Sequence, residues 1–170
     1  MLRDELPSFD RLVLPHLGAA YNLARWLVRN DHDAEDVVQE ATLRALRFFD
    51  GFSGENPRAW LLTVVRNSAY TFLTQNRTKA EETPAEAEPS AETPESLFLT
   101  STQHRVLNEA VAALPAEFRE VFVLREVEGL SYKEIAEAAA IPIGTVMSRL
   151  SRARRQLRSA VDRENEELVS

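Results

Sequence analysis

Residues 131–158 read SYKEIAEAAAIPIGTVMSRLSRARRQLR, and the order of caps, apolar positions and arginines in this stretch predicts two helices joined by a tight turn. Ser131 and Glu134 have the spacing of a capping box, in which the serine oxygen accepts from the third helical amide while the glutamate reaches back to the amide of the cap residue. A helix should therefore start at Tyr132, with Ile135, Ala136 and Ala139 on its inner side. Ala140-Ile141-Pro142 reads as the turn, and Pro142 suits the first positions of the next helix because the hydrogen it lacks would be unpaired there. At about 100° per residue, Val146, Leu150, Ala153 and Leu157 of that next helix fall on one side and face a core. Thr145, Ser148, Arg149 and Arg152 fall opposite, and Arg154, Arg155 and Arg158 flank that outer stripe. From Arg149 to Arg158 there are five arginines and no acid.

A short helix, a tight turn and a second helix with arginine-bearing outer positions is the helix-turn-helix arrangement, which lays its second helix in the major groove of DNA. Arginine suits the task because its fork bonds O6 and N7 of guanine together, or clamps a phosphate. The alternative is an ordinary helical hairpin with a solvated basic face. The small residues at the turn, the capping box and the acid-free arginine run together favour the DNA-binding reading.

Upstream, AEFREVFVLREVE predicts a helix over 116–128 that ends at Gly129, a residue suited to the left-handed turn after a helix. Before it, a helix from about Gln103 carries Val106, Leu107, Ala110, Val111 and Leu114 on one apolar face, and Pro115 interrupts it. Further back the composition changes. Thr78 to Thr102 reads TKAEETPAEAEPSAETPESLFLTST, with prolines at 84, 89 and 94. Such a segment buries too little apolar surface to offset its ordering entropy, so residues 79–102 are expected to form an extended acidic linker, in which Leu97-Phe98-Leu99 is a candidate docking patch. The alternative is a surface loop within one continuous domain.

Residues 1–78 also read as helical. Phe9, Leu12, Val13, Leu17, Ala20, Leu23, Ala24 and Leu27 recur at helical spacing. Asp31 and Asp33 announce a second helix, AEDVVQEATLRALRFF, because acids at a helix start are favoured by its free amide hydrogens. On that helix Asp36, Gln39, Glu40, Leu43 and Arg47 share one face, opposite Val37, Ala41, Ala45 and Phe48. A breaker segment, Asp50 to Pro57, precedes a third helix, RAWLLTVVRNSAYTFL. The expected fold is all-α: two small helical domains, residues 1–78 and 103–170, joined by the linker.

The bulk composition narrows the function. Net charge is -7 over 170 residues, which argues against an indiscriminate nucleic-acid binder. The charge is unevenly placed: residues 1–78 carry 9 basic and 10 acidic side chains, 79–102 carry 1 and 6, and 103–170 carry 10 and 11. Almost all the excess acid lies in the linker, so a basic stripe in either flank is still able to face DNA. There are no cysteines, which excludes disulfides, thiolate zinc sites and cysteine nucleophiles. His16, His32 and His104 are scattered and no metal or other cofactor is expected. No phosphate-cradling glycine loop or nucleophile paired with histidine is present, so an enzyme is not expected. No run approaches the roughly 20 apolar residues of a membrane span, and the acidic start is unlike a secretory signal; a cytoplasmic protein with no membrane contact is expected.

The string LPAEFREVFVLREVEGLSYKEIAEAAAIPIGTVMSRLSRARRQL, from Leu114 to Leu157, resembles the promoter-reading fourth region of bacterial sigma factors. DAEDVVQEATLRALR, from Asp33 to Arg47, resembles the polymerase-binding part of sigma region two, and AWLLTVVRNSAY resembles its promoter-melting part. With the linker where larger sigma factors carry a third domain, the chain is similar to the extracytoplasmic-function (ECF) subgroup. The resemblance implies a factor that binds core RNA polymerase and promoter DNA, under control of an anti-sigma factor. It implies that Asp36, Gln39 and Glu40, with Leu43 and Arg47 on the same face, contact the polymerase clamp helices. It places Asn67 near the flipped base of the -10 element, makes Trp60 a structural aromatic, and likens the loop from Gly51 to Pro57, including Asn56, to the base-capturing loop of the family. After Asn67, where many relatives carry lysine or arginine, this chain has Ser68, Ala69, Tyr70 and Thr71, which leaves Arg66 and Arg77 as candidates for the -10 backbone. Met147 stands where relatives are often basic, which shifts the expected -35 contacts toward Thr145, Ser148, Arg149 and Arg152, with Arg154 and Arg155 alongside.

Two other functions compete. A sigma-like decoy that binds an anti-sigma factor without initiating transcription has no need of the arginine stripe, although the few basic residues after Asn67 favour it. A helix-turn-helix repressor leaves Asp36, Gln39 and Glu40 without a role.

Overall fold

A computed structural model of the chain describes residues 9–52, 55–80 and 101–169. Among the described residues every regular element is helical. The helices up to residue 80 belong to one compact unit, and most of the helical chain from residue 101 onward belongs to a second.

In the first unit, residues 9–12 are helical, and a 3-10 turn at Leu14–His16 then leads into helix α1, Leu17–Val28. The apolar spacing from Phe9 to Leu27 therefore spans two helical segments, not one. Pro15 is the cause: it has no amide hydrogen for a continuing helix, and the chain tightens into a 3-10 turn around it. Arg29, with φ of 60°, ends α1 in the left-handed region. Helix α2 is Asp31–Arg47. Its cap is Asn30, whose Oδ1 accepts from the Asp33 amide at 3.0 Å, while Asp31 and Asp33 occupy the first turn, where acids meet the positive end of the helix dipole. Asp31 also accepts from Arg25 Nε at 2.9 Å, tying the end of α1 to the start of α2.

Helix α2 buries Ala34, Val37, Ala41 and Ala45, but Phe48 is 64% exposed, against the inward position its spacing suggested. The helix stops at Arg47, and the chain turns through a 3-10 segment, Phe49–Gly51. That turn sends Phe49, not Phe48, inward, where its ring meets Phe9 edge-on at 5.3 Å. Helix α3, Pro57–Ala80, completes the bundle, with Leu61, Leu62, Val65, Ser68 and Ala69 buried. It packs against both α1 and α2.

In the second unit, helix α4 is Ser101–Ala112 and helix α5 is Ala116–Phe122. The expected linker thus loses its first and last two residues to helix; residues 81–100, with Leu97-Phe98-Leu99, lie outside the described residues, as do Ser53 and Gly54 of the earlier loop. Val111 and Leu114 are buried, whereas Leu107, one turn earlier on the same side, is 37% exposed. The carbonyls that end α4 are satisfied by a buried arginine: Arg119 Nη1 donates to Ala112 O at 3.0 Å and Leu114 O at 3.2 Å. Helix α5 widens into a π-helical turn, Val123–Val127, and stops at Gly129. Glycine suits the φ of 69° there, which a side chain would make more costly. The Leu130 amide closes the end by donating to Leu124 O at 2.9 Å.

Helix α6, Tyr132–Ala139, begins at the expected capping box, and helix α7 runs Ile143–Val169. Between them Ala140 has φ of 55° and the Ile141 amide donates to Ala136 O at 3.0 Å. Pro142 sits just before α7, not within its first turn, and its carbonyl accepts from Val146. Ile135, Ala136, Ala139, Val146, Leu150, Ala153 and Leu157 are all buried. Among the described residues no helix is long and apolar enough to cross a membrane.

Candidate functional site

The buried stripe of α7 fixes which of its side chains point outward. At about 100° per residue, Ser148, Ser151, Arg152 and Arg155 cluster around the direction opposite Val146, Leu150, Ala153 and Leu157, and all four are exposed. Thr145 and Arg149 lie nearer the core and are half-buried. Arg149 Nη2 stands 3.8 Å from Glu117 Oε2 of α5. Arg154 lies on the other side of the buried stripe, and its Nη2 donates to Glu126 Oε1 of the π-helical turn at 2.5 Å. The outer face expected from sequence is thus rotated: Ser148, Arg152 and Arg155 occupy its middle, and Arg149 and Arg154 occupy opposite flanks. Among the described residues no ion pair holds Arg152, Arg155 or Arg158. Met147, 53% exposed, and Ile143, 46% exposed, add an apolar edge near the start of the helix. An exposed helix of this composition is chemically suited to phosphates and guanine edges on one side and thymine methyls on the other.

In the first unit, the candidates for single-stranded DNA are only partly gathered. Asn67 is exposed on α3 and its Oδ1 accepts from Arg66 Nη1 at 3.2 Å. The Arg66 guanidinium also lies over the Tyr70 ring, 4.2 Å from its centroid, a cation–π contact. Asn56 takes a second role: its Oδ1 accepts from the Ala59 amide at 3.1 Å, so it caps α3 from a left-handed conformation with φ of 49°, and Pro57 fills the first helical position. Arg77 is within α3, and its side chain lies outside the described residues. Trp60 packs in an aromatic cluster, 4.8 Å from Phe52 and 6.4 Å from Phe49. Ser68 and Ala69 are buried, so these two side chains present no surface to DNA.

The third surface is the outer face of α2. Asp36, Gln39, Glu40, Leu43 and Arg47 are all exposed. Glu40 accepts from Arg44 Nη2 at 3.1 Å. Asp33, at the inner edge of this face, has its carboxyl raised above the usual range, first by partial burial and then by the charge of Asp36. Leu43 is 59% exposed and is joined by Leu46 at 44% and Phe48 at 64%. Phe48 was not legible as a surface residue, because the spacing gives no sign that the helix stops at Arg47. Beside this face a shallow cavity of about 360 Å³ between α1 and α2 is lined by Leu17, Tyr21, Val38 and Leu43 among others. A helix face with exposed acids and leucines at one end is chemically better suited to a protein than to nucleic acid.

Residues 12–79 match the family model described as Sigma-70 region 2, and residues 104–157 match the one described as Sigma-70, region 4. The chain is 34% identical over 151 residues to the ECF RNA polymerase sigma-E factor of Haemophilus influenzae, covering 82% of this chain and 79% of that protein. It is 34% identical over 166 residues to the ECF RNA polymerase sigma factor SigE of Mycolicibacterium smegmatis, covering 95% of this chain and 65% of that longer protein. Among solved structures, the sigma factor RpoE from Bartonella quintana, in complex with the anti-sigma factor NepR, superposes with a TM-score of 0.80 at 30% identity, covering 91% of this chain and 97% of that one.

Proposed function

The chain belongs to the ECF RNA polymerase sigma factors, and from that premise we propose that it is a non-enzymatic initiation subunit, working in the cytoplasm, that carries core RNA polymerase to particular promoters. The outer face of α2, with Asp36, Gln39, Glu40, Leu43 and Arg47, holds the polymerase. Asn67, with Arg66, Arg77 and the loop around Asn56, receives the -10 element, where a splayed base needs a pocket with polar edge contacts because its stacking partners are gone. The outer face of α7 reads the -35 element.

The observation that carries this reading is the exposed, acid-free arginine face of α7, set opposite its buried stripe. Its partner observation is the exposed acidic face of α2, which a repressor has no use for. The net charge of -7 fits weak DNA affinity for the chain alone, because in the assembly core polymerase supplies most of the phosphate attraction. Holding two weak readers on one enzyme raises their effective concentration without new contacts. The relative from Bartonella quintana is bound to an anti-sigma factor, and an anti-sigma protein is the proposed regulatory partner here.

The test is run-off transcription with purified core polymerase on a genomic library. Specific transcripts that require this chain support the reading. Tight anti-sigma binding without any transcript would favour the decoy, and promoter binding without core polymerase would favour the repressor.

A further inference from the structure

Arg154 belongs to the acid-free run, yet it does not point where the other outward arginines point. Counted around α7 at about 100° per residue, it lies about 110° from the centre of the outward face. It faces back toward the turn that precedes the helix-turn-helix, where Glu126 accepts its hydrogen bond. Both side chains are less than half exposed, 46% and 43%, and 28 residues separate them in sequence. Glu126 is held by an unusual piece of backbone: the π-helical turn Val123–Val127. In that turn Arg125 Nη1 donates to Leu130 O at 2.9 Å, and its guanidinium lies 4.7 Å from the centroid of Tyr132, the first residue of α6. The Arg154 guanidinium holds its proton more firmly than usual, chiefly through the hydrogen bond to Glu126 and, against slight burial, through Tyr132 as well. One cluster of four side chains therefore joins the end of the α5 segment, the start of α6 and the middle of α7.

We propose that Glu126 and Arg154 form a brace that sets the seat of the recognition helix, so that Arg154 is a positioning residue that does not touch DNA. This deepens the promoter-reading assignment and rests on it. A brace suits this place because base readout demands that a helix be held in one orientation in the groove, whereas phosphate attraction tolerates a shift. The single-contact energy of an exposed ion pair is small; what the pair controls is the angle of α7, and with it the register of Ser148, Arg152 and Arg155.

The test uses the full chain assembled with core polymerase, binding a promoter duplex and a duplex with its -35 element scrambled, over a series of salt concentrations. Preference of the unaltered protein for the promoter is read first; its absence would remove the promoter-reading assignment itself, whatever the brace does. Given that preference, Arg154→Ala and Glu126→Gln should each lower the ratio of the two affinities about three- to tenfold, and the double variant should be no worse than either, since both remove one contact. Arg154→Lys, which keeps a cation for Glu126, should restore most of the ratio. The slope of log affinity against log salt should stay unchanged in all of them. Three results would overturn the proposal: a slope shallower by about 0.9 in Arg154→Ala with equal loss on both duplexes, as expected of a lost phosphate contact; tighter binding to both duplexes in Glu126→Gln; or an unaltered ratio in every variant.

Discussion

Ser131 and Glu134 exchange hydrogen bonds at the start of α6: the Ser131 amide donates to Glu134 Oε1 at 2.8 Å, and the Glu134 amide donates to Ser131 Oγ at 3.1 Å. Two amides that the helix leaves unpaired are satisfied by two side chains three residues apart. The consequence reaches beyond α6, because its buried Ile135 and Ala136 help seat the turn from which α7 departs.

Ser131→Ala should therefore destabilise the chain by about 1 kcal/mol, the usual cost of losing a serine cap. Urea unfolding of the full chain followed by circular dichroism measures it. A midpoint equal to that of the unaltered protein would mean that the box contributes nothing to folding.

Arg152→Ala should weaken promoter binding by about 1–3 kcal/mol and relax the choice at one base pair, if the guanidinium holds a guanine by both O6 and N7. Arg149→Ala should affect base choice less, because that side chain is half-buried beside Glu117. Binding of the polymerase complex to a set of single-base -35 variants separates the two. Unchanged promoter choice in Arg152→Ala would remove this arginine from the reading face.

Much of this surface was legible beforehand, for a reason that particular residues make plain. The capping box, the buried stripe from Val146 to Leu157 and the helix around Asp36 to Arg47 all follow from contacts between residues three or four apart, which spacing encodes directly. What spacing does not encode is where a helix stops, and how it sits against a distant one. Phe48 was misplaced because α2 ends at Arg47, two residues before the expected end at Phe49. The partners of Arg149 and Arg154 lie on α5 and on the turn after it, at separations no local pattern registers. Asn56 read as a loop residue, and its role as the cap of α3 appears only with its left-handed backbone.

Replacing Asp36 and Glu40 together by alanine should reduce association with core polymerase while leaving stability within about 0.5 kcal/mol, the usual range for surface changes. On that face Arg44 pairs with Glu40, an exposed pair of the i,i+4 kind worth about 0.3–0.5 kcal/mol. Competition of the double variant against the unaltered chain for a limited amount of core enzyme reads the effect. Equal competition would reassign the surface.

Phe48→Ser extends the same surface by one residue that its helical spacing had placed inside. A phenylalanine with 64% of its surface in water has little burial to lose, so the substitution should leave the melting temperature nearly unchanged, whereas a core phenylalanine would cost about 3–5 kcal/mol on truncation. An exposed apolar side chain next to Leu43 and Leu46 is instead expected to matter on contact with a partner, where burying it contributes about 25 cal/mol per Å² of apolar surface. Phe48→Ser should then compete poorly for core polymerase despite its intact fold. A variant that melts early would put Phe48 back in the core, and one that both folds and competes normally would confine the polymerase surface to the acidic end of α2.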